Sequence, residues 1–290
     1  MSNIKSYCRA GRAERPDDIG ADILRIALCL KRDLYGAIAA RAFLQALGMP
    51  AAQIAIFCSV KTRPAEETNP WLGLFKILER DLPFEVLSPR EAMAGQPDHP
   101  LAQPWKALDS LRADGGGAQL LGWQPDLIVS MRFSLIFPRR IIEAVPDGIL
   151  NVHPGPLPAY RGLYAPFWQA LAREPELVST VHRVDAGIDT GPVVAEHRVP
   201  RQERRSLMWH IGALYRGGAR LAAQSAAQMM RGQPIVTRPQ PQEGRYWSLP
   251  SDRELASFPD GGMRLFCPDD YSALLSEALG PIRDHATQAV

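Results

Sequence analysis

Two polar side chains at the end of one apolar run have the residue types needed for chemistry at a carbonyl group. Asn151 and His153 close the run GILNVH, residues 148–153, and stand two residues apart. In a β-strand this spacing projects both side chains to the same face. An amide can donate a hydrogen bond to an oxygen that gains negative charge, and an imidazole can stabilise that charge or move a proton. The pair therefore suits carbonyl chemistry, although an Asn-x-His sequence by itself is more often structural than catalytic.

A carboxylate in a later loop could complete this pair. Asp189 lies in the sequence Gly-Ile-Asp-Thr-Gly, between two predicted strands. The flanking glycines let the backbone turn tightly, which can bring the carboxylate close to a ligand. An aspartate near His153 would favour the imidazolium and could take up a proton through a water molecule. Aspartate between glycines is also a common turn residue, so these residues alone do not define a reaction.

The elements that position these residues alternate between short apolar runs and helical patterns. The predicted strands are residues 24–30, 53–58, 83–87, 126–131, 148–153, 179–184 and 193–199. The predicted helices are residues 37–48, 69–80, 105–111, 138–145, 165–172 and 206–231, with residues 31–36 as a loop. This order predicts an α/β fold, a Rossmann-like open and mostly parallel sheet with helices on both faces. Ligands usually bind at the carboxyl edge of such a sheet, where Asn151 and His153 are expected.

Composition excludes several classes of protein. The chain has 290 residues, of which 46% are hydrophobic and 22% charged, a balance typical of globular rather than disordered proteins. Its 33 basic and 31 acidic residues give a net charge of +2, so no general attraction for nucleic acid or an anionic membrane is indicated.

Four scattered cysteines without a CxxC pair predict neither a disulfide framework nor a cysteine zinc site. No run approaches the roughly 20 apolar residues that span a bilayer, and the N-terminus is unlike a secretory signal. We expect a soluble, cytoplasmic protein without a membrane partner.

The near-zero net charge hides an uneven distribution near the end of the chain. Residues 201–245 contain eight arginines and two glutamates, a local charge of +6, and residues 246–290 contain seven acids and three arginines, a local charge of −4. The basic segment suggests tRNA as an alternative partner, but its arginines are spread widely and favour a solvated helix face. Two adjacent glycines, Gly217 and Gly218, predict either a kink in that helix or close packing. We therefore divide the chain into a polar N-terminal tail (1–23), a catalytic domain (24–200) and a smaller helical or irregular C-terminal extension (201–290).

Three segments in this order and spacing resemble the signature of the folate-dependent formyltransferases. In chain order these segments are PDLIVSMRFSLIFP, NVHPGPLPAYRG and VDAGIDTGPVV. The family includes the glycinamide ribonucleotide, methionyl-tRNA and sugar N-formyltransferases, and the resemblance covers roughly residues 24–200. It implies formyl transfer from 10-formyltetrahydrofolate to an amine, without a metal, with Asn151, His153 and Asp189 as the catalytic trio. The first strand leads into LCLKRDLYG rather than a glycine-rich phosphate loop, which argues against purine synthesis.

The same resemblance assigns the walls of the site. It implies that the folate pterin is held by Phe133, Ser134, Leu135, Ile136, Phe137, Ala186, Gly187 and Ile188. The residues predicted to contact the acceptor are Tyr160, Arg161 and Tyr164. His182 follows Thr180 by two residues in a strand near the folate site, where packing and a direct role are both open.

The acceptor is the least defined part of this interpretation. We expect a small-molecule amine, either an amino acid similar to hydroxyornithine or a nucleotide-linked amino sugar, and no nucleic acid. The alternatives are a methionyl-tRNA formyltransferase, a 10-formyltetrahydrofolate hydrolase and a non-catalytic folate-binding or sensing protein. The C-terminal extension is expected to shape the acceptor site, to form a homodimer contact, or to do both.

Overall fold

Apolar runs in the sequence become the strands of one central sheet, and two strands of two residues each form a small second sheet. The computed structural model describes residues 24–48, 54–61, 64, 68–86 and 104–280. In chain order the strands are β1 (Ile26–Lys31), β2 (Ile54–Ser59), β3 (Trp105–Leu108), β4 (Leu127–Met131), β5 (Ile149–His153), β6 (Arg161–Gly162), β7 (Glu176–Arg183), β8 (Val193–Pro200) and β9 (Tyr246–Trp247). The predicted N-terminal tail, residues 1–23, lies outside the described residues.

Helices cover the central sheet and extend through the later part of the chain. They are α1 (Leu34–Leu47), α2 (Pro70–Lys76), α3 (Gly116–Gly122), α4 (Arg139–Ala144), α5 (Ala165–Leu171), α6 (Leu207–Met230), α7 (Asp252–Ser257) and α8 (Pro268–Leu279). Helix α2 continues as a π-helix over Ile77–Val86, and α7 continues as a 3₁₀-helix over Phe258–Gly261. Within the described residues, no helix combines the length and the apolar character that crossing a membrane requires.

The central sheet has seven strands in the order β3-β2-β1-β4-β5-β7-β8. The strands from β3 to β5 are parallel, and β7 and β8 add antiparallel pairs at one side. The predicted Rossmann-like, mostly parallel α/β fold is therefore confirmed. Strand β6 pairs with β9 in the separate small sheet.

Alternating side chains of β5 pack against different helices on the two faces of the sheet. Leu150 and Val152 are buried in one apolar cluster with residues of α1, α6 and α8. Ile149 is buried in another cluster, together with residues of α3 and α4. Since Asn151 and His153 alternate with Leu150 and Val152, they face away from α6. The hydrophobic pattern of the strand thus fixes the direction of both polar side chains.

The strand predicted at residues 83–87 is wrong, because the described part of this segment belongs to the π-helix Ile77–Val86. Leu78 and Leu82 are four residues apart and pack against the cluster that contains α1. This is helical spacing, and it keeps the chain helical up to Val86. The wide turn of a π-helix also tolerates Pro83, which has no N–H to donate. Leu87 lies outside the described residues.

The helix predicted near residues 105–111 is also wrong. Trp105–Leu108 forms β3, which pairs in parallel with Ile56–Ser59 of β2. The edge of β2 offers backbone donors and acceptors, and this long-range pairing overrides a local helical pattern. The loop predicted at residues 31–36 is too long, because α1 already begins at Leu34. The Asp33 carboxylate starts that helix by accepting a hydrogen bond from the Gly36 N–H at 2.8 Å.

Helix α6 runs without interruption through Gly217 and Gly218. A Cβ atom at Gly218 would lie 2.4 Å from Cγ1 of Val152, so this position allows the helix to lie directly on β5. The glycine pair therefore serves close packing.

Acids of the late segment bind arginines of the basic segment. Arg205 donates to Asp270 at 2.7 Å, and Arg216 is paired with Glu277 of α8. Helix α8 contributes Tyr271 to the cluster that contains α1 and α6. These contacts hold the described part of the C-terminal segment against the sheet domain. The division of the chain at residue 200 stays a prediction.

Candidate active site

Two adjacent antiparallel strands bring three of the site's side chains together. Asn151 of β5 lies directly opposite His182 of β7, and His153 lies opposite Thr180. These residues share the sheet face that does not contact α6. Thr180 donates from its hydroxyl to the carbonyl oxygen of Gly155 at 2.7 Å, which ties the loop after His153 to β7. The predicted pair of Asn151 and His153 is therefore joined by a second histidine.

The Asp189 carboxylate lies between the two histidines. One carboxylate oxygen, Oδ2, is 3.5 Å from Nδ1 of His153, and the other, Oδ1, is 3.6 Å from Nε2 of His182. Oδ2 also accepts a hydrogen bond from the Gly162 N–H at 3.0 Å. The structure thus brings Asn151, His153 and Asp189 together as predicted, with His182 in contact with both Asn151 and Asp189.

Backbone oxygens define which nitrogen of each imidazole carries a proton. Nε2 of His153 lies 2.6 Å from the carbonyl oxygen of Tyr160 and must donate to it, because a carbonyl oxygen can only accept. Nδ1 is then the nitrogen of His153 that faces Asp189 and can gain a proton. In the same way, Nδ1 of His182 donates to the carbonyl oxygen of Arg183 at 2.8 Å. Nε2 of His182 is left to accept from the Asn151 amide at 3.1 Å, which sets the orientation of that amide.

Burial and neighbouring charges shift the protonation of the central pair in opposite directions. Burial lowers the pKa of His153, while the Asp189 carboxylate acts to raise it. For Asp189, burial opposes ionisation, but His153, His182 and the Gly162 N–H together hold the pKa of the carboxyl well below its usual range. At neutral pH the site therefore contains an ionised carboxylate beside a neutral imidazole that can accept a proton.

The loop that carries Asp189 has an unusual backbone. Asp189 has φ +54°, in the left-handed region that aspartate tolerates better than most residues. At Gly191 a Cβ atom would lie 1.9 Å from the carbonyl oxygen of Arg183, so the loop can return to the sheet only with glycine there. Asp185 accepts from the Gly187 N–H at 3.1 Å and from the Thr190 hydroxyl at 2.6 Å. These bonds hold the turn that presents the Asp189 carboxylate.

An open cavity of about 710 Å³ lies over this group. From the predicted folate and acceptor residues, its lining includes Phe133, Ser134, Leu135, Ile136, Phe137, Tyr164, Gly187 and Ile188. Ile136 and Ile188 are 75% and 47% exposed, an arrangement that leaves large apolar side chains free to be covered by a ligand. The rings of Phe133 and Phe137 are stacked with centroids 5.3 Å apart.

Three of the predicted site residues do not line the cavity. Ala186 does not line the cavity, although the residues on either side of it, Asp185 and Gly187, do. The Tyr160 ring stacks on Trp247 at 5.6 Å, and its hydroxyl donates to Glu174 at 2.7 Å. Arg161 donates to the Gln240 side-chain oxygen at 2.9 Å. The backbone oxygen of Tyr160 accepts the hydrogen bond from His153. The Arg161 side chain binds Gln240 in a later loop.

His182 is the site residue that sequence reasoning left undecided. The signal that could have identified it is its register, because a residue opposite Asn151 on an adjacent strand must share the face of Asn151. Among the residues that the structure describes, no group of three or more His, Cys, Asp or Glu side chains could hold a metal ion.

Residues 69–207 match the family described as Formyl transferase. This segment is therefore similar to the formyltransferase superfamily, and it contains Asn151, His153, His182 and Asp189 of the site described above. The resemblance inferred from the three sequence segments is confirmed.

Parts of this chain are also similar to curated relatives, and its fold is similar to that of solved structures. A methionyl-tRNA formyltransferase of Aromatoleum aromaticum is 36% identical over 139 residues, which cover 47% of this chain and 42% of that protein. The chain spans about half the length of the curated relatives it matches. A 4-N formyltransferase from Francisella tularensis has a similar fold, with a TM-score of 0.55 at 16% identity over 82% of this chain and 88% of that one. An N-formyltransferase from Helicobacter canadensis, solved with folinic acid and dTDP-3-aminofucose, gives 0.52 at 14% identity over 86% and 82%.

Proposed function

We propose that this chain transfers a formyl group from 10-formyltetrahydrofolate to the amine of a small molecule. The observation that carries the proposal is the group formed by Asn151, His182, Asp189 and His153 in a cavity with apolar walls. A protein that only binds or senses folate has no need of a buried carboxylate paired with an imidazole that can gain a proton.

The wall formed by residues 133–137 suits a flat, partly polar ring such as a pterin. Phe133 and Phe137 supply aromatic surface, and Leu135 packs against the cluster beneath them. Ser134 is fixed to Ser59 of β2, since its N–H donates at 3.1 Å and its hydroxyl at 2.8 Å to the Ser59 oxygen. This wall is therefore held in place before any ligand binds. The folinic acid bound by the Helicobacter canadensis enzyme is a folate of the same class.

The reaction forms a bond between the acceptor nitrogen and the formyl carbon and breaks the bond from that carbon to the donor nitrogen. The donor supplies a carbonyl carbon that an unprotonated amine can attack. Asn151, with one amide hydrogen held by His182, has a second hydrogen that can stabilise the negative charge gained by the carbonyl oxygen. His153 accepts the proton lost by the attacking amine at Nδ1, and Asp189 stabilises the resulting imidazolium. The proton then passes to the leaving donor nitrogen, so that His153 returns to its starting state.

The acceptor in this proposal is an amino acid similar to hydroxyornithine or a nucleotide-linked amino sugar. The cavity volume lies within the range for one small-molecule site. The described residues after Pro200 form helices and the two-residue strand β9, which offers no extended sheet surface of its own for tRNA. Methionyl-tRNA stays the alternative acceptor, because the relative from Aromatoleum aromaticum is named a methionyl-tRNA formyltransferase.

We also propose that the protein is cytoplasmic and that it forms a homodimer through residues 201–290.

The experiment is an assay of tetrahydrofolate release from 10-formyltetrahydrofolate with a panel of amines and charged methionyl-tRNA. His153→Ala is expected to abolish transfer while donor binding, measured by calorimetry, persists. His197→Ala is the matched control, because His197 lies on β8 outside the cavity lining. Unchanged transfer in His153→Ala would overturn the proposed chemistry. Release that does not depend on any added acceptor would instead identify a hydrolase.

A further inference from the structure

Three charged residues of the cavity lining, Lys31, Glu79 and Arg132, form what we name the charged corner. It lies on the side of the sheet covered by α1 and α6. The Arg132 guanidinium lies 5.3 Å above the ring of Tyr35, which belongs to the cluster of that side. Phe133 and Leu135, by contrast, pack against the cluster on the opposite side. The charged corner is therefore separate from the apolar wall assigned to the folate donor.

The charged corner is costly for the fold. Arg132 donates from Nε to Asp33 at 2.9 Å and from a terminal nitrogen to Glu79, and these two acids are 1% and 12% exposed. Buried ionic groups of this kind can often be replaced by apolar residues without loss of stability. Arg132 also has φ +61°, a strained conformation for a residue other than glycine. Among the described residues, the buried Tyr35 hydroxyl beside them has no hydrogen-bond partner.

The same corner is poorly suited to a phosphate. The N-terminus of α1 would be the natural phosphate site, because its free N–H groups and helix dipole attract anions. Here the Asp33 carboxylate already accepts the Gly36 N–H, so the position is occupied by negative charge. Glu79 places a carboxylate at the cavity surface, whereas Asp33 is buried and does not line the cavity. A nucleotide diphosphate would meet the Glu79 carboxylate at this corner and find the helix N-terminus already capped, whereas a ligand carrying both charge signs would find a partner for each charge.

We propose that the charged corner binds the zwitterionic head of an amino-acid acceptor, with Glu79 facing its α-ammonium group and Lys31 and Arg132 facing its α-carboxylate. The side-chain amine of that acceptor then reaches toward His153. This proposal rests on the proposed formyl transfer and narrows its acceptor to one of the two classes. It requires a small acceptor, consistent with a cavity that must also hold the donor ring.

The test compares amino acids with acceptors that lack part or all of their charged head. L-ornithine, N5-hydroxy-L-ornithine and L-lysine carry both charges. 1,4-Diaminobutane lacks the carboxylate, 5-aminopentanoate lacks the α-ammonium, and a dTDP-linked amino sugar lacks the whole head. With the full chain and 10-formyltetrahydrofolate, kcat/KM for the best amino acid is expected to exceed that of either truncated amine by about 10- to 100-fold, the effect of one lost charged hydrogen bond.

A substitution separates recognition from a general effect on the site. Glu79→Gln is expected to lower kcat/KM for the best amino acid by about 10- to 100-fold and to leave that for 5-aminopentanoate within about twofold, because that acceptor has no ammonium to lose. Glu143→Gln, in an exposed pair on α4, is the control and should change neither. An equal loss with both acceptors assigns Glu79 a structural role and overturns the proposal.

Failure of this proposal and failure of the proposed function give different results. If the amino sugar or methionyl-tRNA is formylated and no amino acid is, the charged corner does not bind a zwitterion, but formyl transfer stands. If donor binding is measured and no acceptor of any class releases tetrahydrofolate, both proposals fail. If calorimetry detects no donor binding either, the folate site itself is wrong.

Discussion

The side-chain amide of Gln240 donates hydrogen bonds to the carbonyl oxygens of Asp189 and Gly191, at 3.0 and 2.6 Å. Its oxygen accepts a hydrogen bond from Arg161. Gln240 lies outside residues 69–207, the segment that matches the formyl transferase family. A residue from the later part of the chain thus holds the loop that presents the Asp189 carboxylate in its left-handed conformation.

Replacing Gln240 by alanine should lower kcat for formyl transfer. Without the two hydrogen bonds the Asp189 loop gains freedom, and we expect a loss of about tenfold in kcat with little change in donor affinity. The measurement is steady-state kinetics together with donor binding. Gln233→Ala serves as the control because Gln233 is exposed. If both variants retain wild-type kcat, the Gln240 hydrogen bonds do not position Asp189.

His182 should act through Asn151. Asn151→Ala is expected to reduce kcat by about 10²- to 10³-fold, the usual cost of losing one donor to a developing oxyanion. His182→Ala should reduce kcat by about 10-fold or more, since the amide then loses the acceptor that orients it. His182→Gln should restore part of the rate because its side-chain oxygen can accept the same hydrogen bond.

A double-mutant cycle tests this dependence directly. In the Asn151→Ala background, His182→Ala is expected to cause little further loss, because the residue that it orients is already absent. Full additivity of the two substitutions would show that His182 acts independently, through Asp189 for example.

The titration of His153 should respond to Asp189 in a defined direction. Burial lowers the pKa of His153 below 6.5 and the carboxylate partly opposes that shift, so Asp189→Asn should lower the pKa further. Nuclear magnetic resonance of the labelled imidazole, followed from pH 4 to 8, measures both values. A higher pKa in the variant would contradict the proposed electrostatics of the pair.

The same shift has a consequence for stability. The unfolded chain binds a proton at His153 near pH 6.5, whereas the folded chain does so only at lower pH. His153 therefore contributes stability that is fully present above pH 6.5 and is lost as the pH falls through its folded pKa. Urea unfolding of wild type and His153→Gln at pH 5 and 7.5 should show a smaller pH dependence in the variant.

Asp270 should stabilise the start of α6. Its Oδ2 accepts from the N–H and the hydroxyl of Ser206, at 2.6 and 2.8 Å, and its other oxygen accepts from Arg205. Asp270→Ala leaves the buried Ser206 groups unsatisfied, and we expect the free energy of unfolding to fall by about 2 to 3 kcal/mol. The exposed neighbour Asp269 provides the control, Asp269→Asn. Equal stability of the two variants in urea would contradict this role.

The parts of the fold that were predictable are those in which local pattern and tertiary packing agree. Strand β4 is almost entirely apolar, β5 is apolar except for Asn151 and His153, and both occur where predicted. Helix α1 ends at Gly48, whose φ of +66° needs glycine. The prediction fails where long-range contacts decide, as in β3, which is a strand because the edge of β2 lies beside it.

The candidate site shows the same division. Asn151 and His153 share a face because of strand periodicity, which the sequence displays directly. His182 and Gln240 could not be assigned in this way, because their roles depend on the register of β7 against β5 and on a loop that returns from far along the chain. Residue type indicates the chemistry, but only the fold brings these partners to the same place.

Val152, which separates Asn151 from His153 along β5, has Gly218 of α6 directly behind it. Any larger side chain at Gly218 would push the strand and shift both polar residues, so the rear of the site cannot be enlarged or reshaped by substitution there. Tyr164, Tyr246 and Leu249 also line the cavity, and they belong to parts of the chain other than β5 and α6. Attempts to change the range of accepted amines, in the laboratory or over the course of divergence, should therefore alter those residues and leave α6 unchanged.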